Sequence, residues 1–419
     1  NSLSYRQSRI EELKEISGNR DMTQGGTAGG VTAASAIAAL QEAGSKLSRD
    51  MLKSAYRAFA KQCYLIIELM RHAGRQGGMY FTHWKRTGVR VGTPEKPNKL
   101  AGIVEALEIG MAAGVKTQVS HISTGFDIYP PNEDMDRYAA KVTLDVFDGY
   151  LQKGAQAAFD VIPGRSGGIA MIPFLASKLM PWVRQAGSLS GFIRNLQARD
   201  FRTELIEKLE GGAWYALNPK VNPCWDEAIS IGPSQNPKYA GKTLREIGRL
   251  LGTSSMEAVM ALLLEEPRIP IEENKKSDGE IRGLLAHPKG SPCTDTYAFD
   301  LEGTYGRDME LPELLPHPHT YCAFPKYILQ FPAPTLEETI RKMTGAVAQF
   351  LEIPGRGEIR VGNFADLVVL DLKRLKTNEN YVEPRAYPEG IPMVVVNGVV
   401  EVDQQGFTGR RAGRILRHQ

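Results

Sequence analysis

Seven histidines are spread over 419 residues, so where each one falls is informative. His83 closes the run Gly78-Met79-Tyr80-Phe81-Thr82, and His121 closes Val115–Ser120. Two imidazoles at the C-terminal ends of neighbouring strands suit ligation of one Zn2+, or each is a hydrogen-bonded strand-end histidine. Asp295, in Ser291-Pro292-Cys293-Thr294-Asp295-Thr296, stands where a late strand would end. There it is either a general base acting on water at a metal or a turn aspartate. Pro316-His317-Pro318-His319 cannot continue a helix, because proline removes a donor amide, and it reads as a fixed loop presenting His317 and His319. Arg165 sits among glycines in Pro163-Gly164-Arg165-Ser166-Gly167-Gly168. Its guanidinium fork would clamp a substrate carboxylate by two parallel hydrogen bonds, or it faces solvent.

The segments around these residues alternate between helix and strand. Tyr56–His72 and Leu100–Gly114 read as helices, the latter with Ile103, Val104, Leu107 and Met111 on one face at 3.6-residue spacing. Val115–Ile122 and Ala155–Pro163 read as strands flanking a helix over Tyr138–Lys153. Such βαβ alternation predicts a parallel sheet covered by helices, and its length suits a (β/α) barrel. Leu244, Ile247, Leu250 and Leu251 make another helical stripe, followed by Met256–Glu266. Thr335-Leu336-Glu337-Glu338 has the form of a capping box opening a helix that buries Leu336, Ile340, Met343, Val347 and Leu351. Beyond residue 350 the pattern turns to strands, with Asn397-Gly398 placed for a type I′ turn inside Met393–Val402. The expected organisation is a helix and Gly-rich linker over residues 1–50, a barrel portion over 51–350 and a small β module over 351–419.

Composition narrows the function classes. With 51 Lys+Arg against 48 Asp+Glu, the charge is too balanced for a nucleic-acid footprint. No apolar run approaches the roughly 18 residues of a membrane span. The four cysteines lack CxxC spacing, which suits reduced thiols in the cytoplasm. Cys63 falls in an apolar helical stretch and reads as core. The Gly25–Gly30 run lacks the Lys-Ser/Thr of a P-loop, and neither a serine elbow nor a Rossmann fingerprint occurs in the required strand–helix context.

Taken together, these segments resemble the N-acyl-D-amino-acid deacylases (D-aminoacylases), a branch of the amidohydrolase superfamily. Gly77-Gly78-Met79-Tyr80-Phe81-Thr82-His83-Trp84 resembles the family's GG-x-YA-THM segment, and Gln118-Val119-Ser120-His121-Ile122 its ISH strand end. Phe159-Asp160-Val161-Ile162-Pro163 is similar to D-x-YP, Thr294-Asp295 to a late-strand SD, and His317–Pro325 to HPR-x-x-GTFPR. In the tail, Glu337–Thr344, Gly357–Leu372, Tyr387–Ile391, Val396–Gly398 and Gly406–Leu416 follow in family order.

The resemblance implies an α/β fold: a (β/α)8-type metal-dependent barrel plus a small C-terminal β module. It implies His83 and His121 as ligands of one or two divalent ions, zinc by type, and Asp295 as the catalytic acid/base. Arg165, His317 and His319 would orient a small-molecule amide. The family's upstream HxH segment has no counterpart here, so a first strand is expected from an N-terminal segment or second subunit. Where the family holds the amino-acid carboxylate, this chain has Ile162, His319 and an altered stretch around Ser123. That implies a substrate other than a simple N-acyl-D-amino acid. The competing expectations are a cyclic amide or imide hydrolase on the same scaffold, and a non-catalytic or half-site subunit of a heteromeric enzyme.

Overall fold

The computed structural model describes residues 53–84, 99–296 and 315–416, apart from 55, 59, 63, 169 and 172. The expected helix and Gly-rich turn within residues 1–50, and Cys63, lie outside the described residues. The chain divides into two compact units, Asn1–Arg75 and Gln76–Gln419. In the first, the described residues from 53 to 75 are helical. Among the described residues no single helix is long and apolar enough to cross a membrane.

The second unit is built on four strands, β1 (Met79–His83), β2 (Lys116–Ser120), β3 (Ala157–Val161) and, much later in the chain, Gly290–Pro292. They pair in that order, all parallel, with His83 opposite Ser120 and Val119 opposite Phe159. Alternation sends Thr117, Val119, Ala157, Phe159 and Val161 into a helix-covered core. Helix α1 (Lys99–Ala113) buries Ile103, Ala106, Leu107 and Gly110 against it, while Met111 stays exposed. Gly110 is needed there: a Cβ would stand 1.8 Å from Thr117 Oγ1. Helix α2 (Glu133–Gln152) starts ahead of the sequence boundary because Asn132 caps it, its side chain accepting from Met135 N.

Between β3 and Gly290 the chain makes an excursion that the sequence pattern concealed. β4 (Ala170–Met171) leads into helices α3 (Met180–Gln185), α4 (Leu189–Gln197) and α5 (Arg199–Glu210). β5 (Ile229–Ile231), α6 (Leu244–Leu251), α7 (Ser255–Glu265) and β6 (Ile271–Glu273) complete it, β5 and β6 pairing antiparallel. Leu179, Val183, Phe192, Leu196, Leu244, Ile247, Val259 and Leu263 belong to a core distinct from the one around Trp84, Val119, Phe147 and Phe159. Thr243/Glu246 and Ser254/Glu257 form reciprocal capping boxes at α6 and α7. Leu250, expected in the apolar stripe, is exposed.

Helix α8 (Asp278–Leu285) returns to the sheet and β7 (Gly290–Pro292) follows it. α8 crosses α2 closely enough that a Cβ on Gly279 would stand 2.0 Å from the Glu133 carbonyl oxygen. Lys342, 2% exposed, donates to the Leu285 and His287 carbonyls at the far end of α8. A cation there meets the negative end of the helix dipole.

β8 (Leu315–Pro316), α9 (His319–Gln330), α10 (Leu336–Met343) and α11 (Gly345–Phe350) follow. The Thr335 cap is half a box: Thr335 Oγ accepts from Glu338 N, but the Glu338 carboxylate turns to Arg341. Leu336, expected to be buried, is exposed, and Thr344 separates α10 from α11. The chain ends in an antiparallel sheet of β9 (Leu367–Val369), β10 (Met393–Val396), β11 (Val399–Asp403) and β12 (Gly406–Phe407). Asn397 and Gly398, at φ 49° and 81°, make the expected turn. The Asn397 carboxamide accepts from Arg356 and donates to the Ala412 carbonyl, while Gly398 N donates to Ala365 O.

Candidate active site

Parallel pairing brings the C-terminal ends of β1, β2, β3 and β7 to one side of the sheet, where open α/β sheets gather ligand sites. His83 is the last residue of β1 and His121 lies just past β2. Their rings meet, with His83 Nδ1 2.8 Å from His121 Nε2 and ring centroids 4.5 Å apart. Asp295, three residues past β7, places Oδ1 3.9 Å from the same His121 Nε2. The sequence picked these three residues from well-separated segments, and the fold gathers them at one cavity of about 450 Å3.

Both His121 and Asp295 have left-handed backbones, at φ 38° and 45°. For an L-residue this costs roughly 1–3 kcal/mol, so neighbouring structure must hold it. At His121 the holder is Asp160 on β3. Its Oδ1 accepts from His121 N at 2.6 Å, its Oδ2 accepts from Gln118 Nε2 at 2.7 Å, and its carbonyl accepts from Ile122 N at 2.7 Å. Asp160 was legible only as the first residue of the D-x-YP-like stretch, a charged residue inside a strand, with no role assigned to it. Cys293, beside it, is held as a thiol: burial first, then the Asp160 and Asp295 charges, push its pKa up.

Two imidazoles and a carboxylate are the right donor types for a catalytic divalent-metal site. The spacing is that of a hydrogen-bonded pair, since two nitrogens sharing one Zn2+ lie about 3.4 Å apart at normal bond lengths. The nitrogens must separate by about 0.6 Å to share an ion. Among the described residues no three His, Cys, Asp or Glu side chains are grouped as a metal cage. The donors fit as two ligands with a carboxylate beside them, and not as a full set.

The other three expected site residues separate. Arg165 lines the cavity, but its Nε donates to Asp278 Oδ1 at 2.8 Å, so its guanidinium is already committed on one edge. His317 and His319 are not on an open loop. They are 5% and 1% exposed, and their rings stack at 3.9 Å. Proline does end the strand, but His319 then begins α9, and the Tyr381 ring packs edge-on against His317. His317 Nε2 lies 3.1 Å from Ser166 Oγ, and its Nδ1 has no hydrogen-bond partner. Burial drives His317 down to about 2, helped by His319, and drives His319 down to about 4. Neither ring lines the His83–His121 cavity, though His317 borders a smaller adjoining one of about 310 Å3.

That cavity also holds a cluster the sequence reading missed. Lys178, in the Leu-Ala-Ser-Lys-Leu run 175–179, pairs with Glu273, and so does Lys275, at 2.6 Å. A lone lysine between buried leucines was the available signal.

No family model matches the chain. An N-acyl-D-glutamate deacylase from Alcaligenes xylosoxydans xylosoxydans is 34% identical over 329 residues, covering 76% of this chain and 62% of that protein. A D-aminoacylase from the same organism is 36% identical over 105 residues, covering 24% of this chain and 22% of that protein. The chain thus spans less than two thirds of the curated relatives it matches. Among solved structures, a D-aminoacylase described as defining a novel subset of amidohydrolases aligns with TM-score 0.48 at 21% identity, covering 84% of this chain and 58% of that one. The N-acyl-D-glutamate deacylase of Bordetella bronchiseptica, complexed with zinc and a phosphonate inhibitor, aligns at 0.49 and 20%, with the same coverages. Sequence identity of this extent, together with the motifs around His83, His121 and Asp295, supports the D-aminoacylase branch of the amidohydrolases.

Proposed function

We propose that the chain hydrolyses a C–N amide-like bond at the ends of β1, β2 and β7, on a (β/α)8-type barrel of which the described residues supply four parallel strands. The observation that carries this is the meeting of His83, His121 and Asp295 at one cavity. His83 and His121 would hold a divalent cation, zinc by donor type, with the remaining ligands supplied from outside the described strands. When bound, the cation supplies Lewis-acid polarisation of the scissile carbonyl. Asp295 takes a proton from the attacking water and returns it to the leaving nitrogen. Asp160 keeps His121 turned toward the cavity, and Arg165, braced by Asp278, borders the substrate.

Asp295→Asn tests this, since asparagine tolerates the left-handed backbone and removes only the proton relay. Turnover is expected to fall roughly 10²–10⁴-fold with metal content and thermal midpoint preserved. Near-parental turnover would remove Asp295 from the reaction. A second reading, a half-site subunit, is favoured by the want of a third grouped ligand among the described residues. Metal titration of the purified chain alone separates the two, because a half-site retains no stoichiometric cation without its companion.

A further inference from the structure

The cavity lined by His83, His121 and Asp295 carries its cations in closed pairs. Five of them line it among the described residues, and each already faces a carboxylate. Lys99 pairs with Asp127, half-exposed Arg165 with Asp278, and Lys276 with Glu280. Glu273 gives one carboxylate oxygen to Lys178 and the other to Lys275. An arriving anion must break one of these pairs or stand unpaired where water is scarce, and either course is costly.

Much of the remaining wall is apolar. Phe126 and Tyr129, on the turn that follows His121, and Tyr215, on the excursion, are 41%, 37% and 52% exposed there. Ile162, Leu217 and Trp225 line the same cavity and are buried. Leu217 is held at φ 53°, in the left-handed region that a bulky apolar residue rarely enters. Asn218 fixes that turn, its Nδ2 donating to the Trp214 carbonyl at 2.6 Å and its Oδ1 accepting from Lys220 N at 2.8 Å. Such strain persists only where the surroundings over-determine it, and it collects at ligand-binding walls.

We propose that the amide cleaved in this cavity is uncharged on the carbon next to its nitrogen and carries an aryl group seated against Phe126, Tyr129 and Tyr215. A carboxylate on that carbon would compete with the carboxylates already facing the cations. An aryl ring instead meets three exposed aromatic side chains in offset or edge-on contact and takes their apolar surface out of water. A few polar groups on a largely apolar wall are the usual make-up of a small-molecule site. Such a substrate gives chemical form to the expectation of one other than a simple N-acyl-D-amino acid, and its assignment rests on reading this cavity as the site of hydrolysis.

The probes are N-benzylacetamide, N-acetyl-D-phenylglycine, which adds only a carboxylate to the benzylic carbon, and N-methylacetamide, which lacks the ring. Titrated into the full chain by ligand-observed NMR, N-benzylacetamide is expected to bind at least about ten-fold more tightly than either of the others. In Phe126→Ser, and separately in Tyr215→Ser, its affinity should fall about three-fold, with circular dichroism confirming the fold. Equal or tighter binding of the phenylglycine, no gain from the ring, or binding of no probe overturns the proposal, and these comparisons need no variant to fold. Because the titration does not read turnover, the expected preference without hydrolysis of N-benzylacetamide would remove the hydrolase reading and leave the neutral aryl site standing. Preferred binding and hydrolysis of the phenylglycine would do the reverse.

Discussion

Two histidine pairs within one chain show how packing decides what an imidazole does. His83 and His121 meet edge to edge at strand ends, bordered by a carboxylate and opening on a cavity. His317 and His319 stack nearly parallel, at 19° between planes, inside the protein, and burial holds both neutral. The residue types are the same, yet one pair meets beside a carboxylate at a cavity while the other is buried, with His317 hydrogen-bonded to Ser166. The backbone sets the difference. At His121 a strained φ held by Asp160 aims the side chain outward, whereas the Pro316–Pro318 segment feeds its histidines into the start of α9.

The largest break in this comparison is expected at His121. His121→Ala should lower cation affinity beyond the roughly 10–100-fold typical of losing only an outer-shell partner. His317→Phe should leave affinity unchanged, and metal titration of both variants checks this. Acid should act on the other pair instead. Both buried imidazoles have folded pKa values below the unfolded value near 6.5, so the unfolded state binds more protons as pH falls. Stability is therefore complete above about pH 6.5. Below it, about 1.4 kcal/mol per pH unit is lost for each imidazole, down to about 4 for His319 and about 2 for His317. Thermal midpoints between pH 7 and 4.5 should fall less steeply in the double variant His317→Phe/His319→Phe.

A smaller change is expected at Asp160. Asp160→Asn keeps the acceptor for His121 N while removing its charge, and should lower kcat/KM about ten-fold with KM little moved. A parental value would mean that the turn holds itself. The smallest effect belongs to Arg165, whose Nε is already taken by Asp278. Arg165→Lys should raise KM for an anionic substrate by no more than about three-fold, the size of a partly exposed interaction.

What the sequence made legible was local or periodic. His83 and His121 announced themselves as strand ends, Asn397-Gly398 as a turn and the αβ alternation as a parallel sheet, because each signal lies within a few residues. The excursion between β3 and β7 was hidden because its amphipathic helices look like any others, and only packing shows that they close a second core. Asp160 stood in a family-like motif, but its role was not legible because it depends on the register that sets it beside His121, which is long-range information. The misplacement of His317 and His319 has the same origin. A Pro-His-Pro-His string fixes backbone shape, but whether α9 and the tail fold over it is a tertiary matter.

The Asn397-Gly398 turn bears on how this protein ages. Asparagine followed by glycine is the dipeptide most prone to lose ammonia through a cyclic imide, a reaction in which the glycine nitrogen attacks the asparagine side-chain carbon. Here that nitrogen is occupied by Ala365, and the carboxamide is tied at both ends by Arg356 and Ala412. Cyclisation has to wait until the C-terminal sheet opens. Slow appearance of aspartate and isoaspartate at position 397, followed by peptide mass mapping during storage, would then be a built-in clock for how often that sheet comes apart.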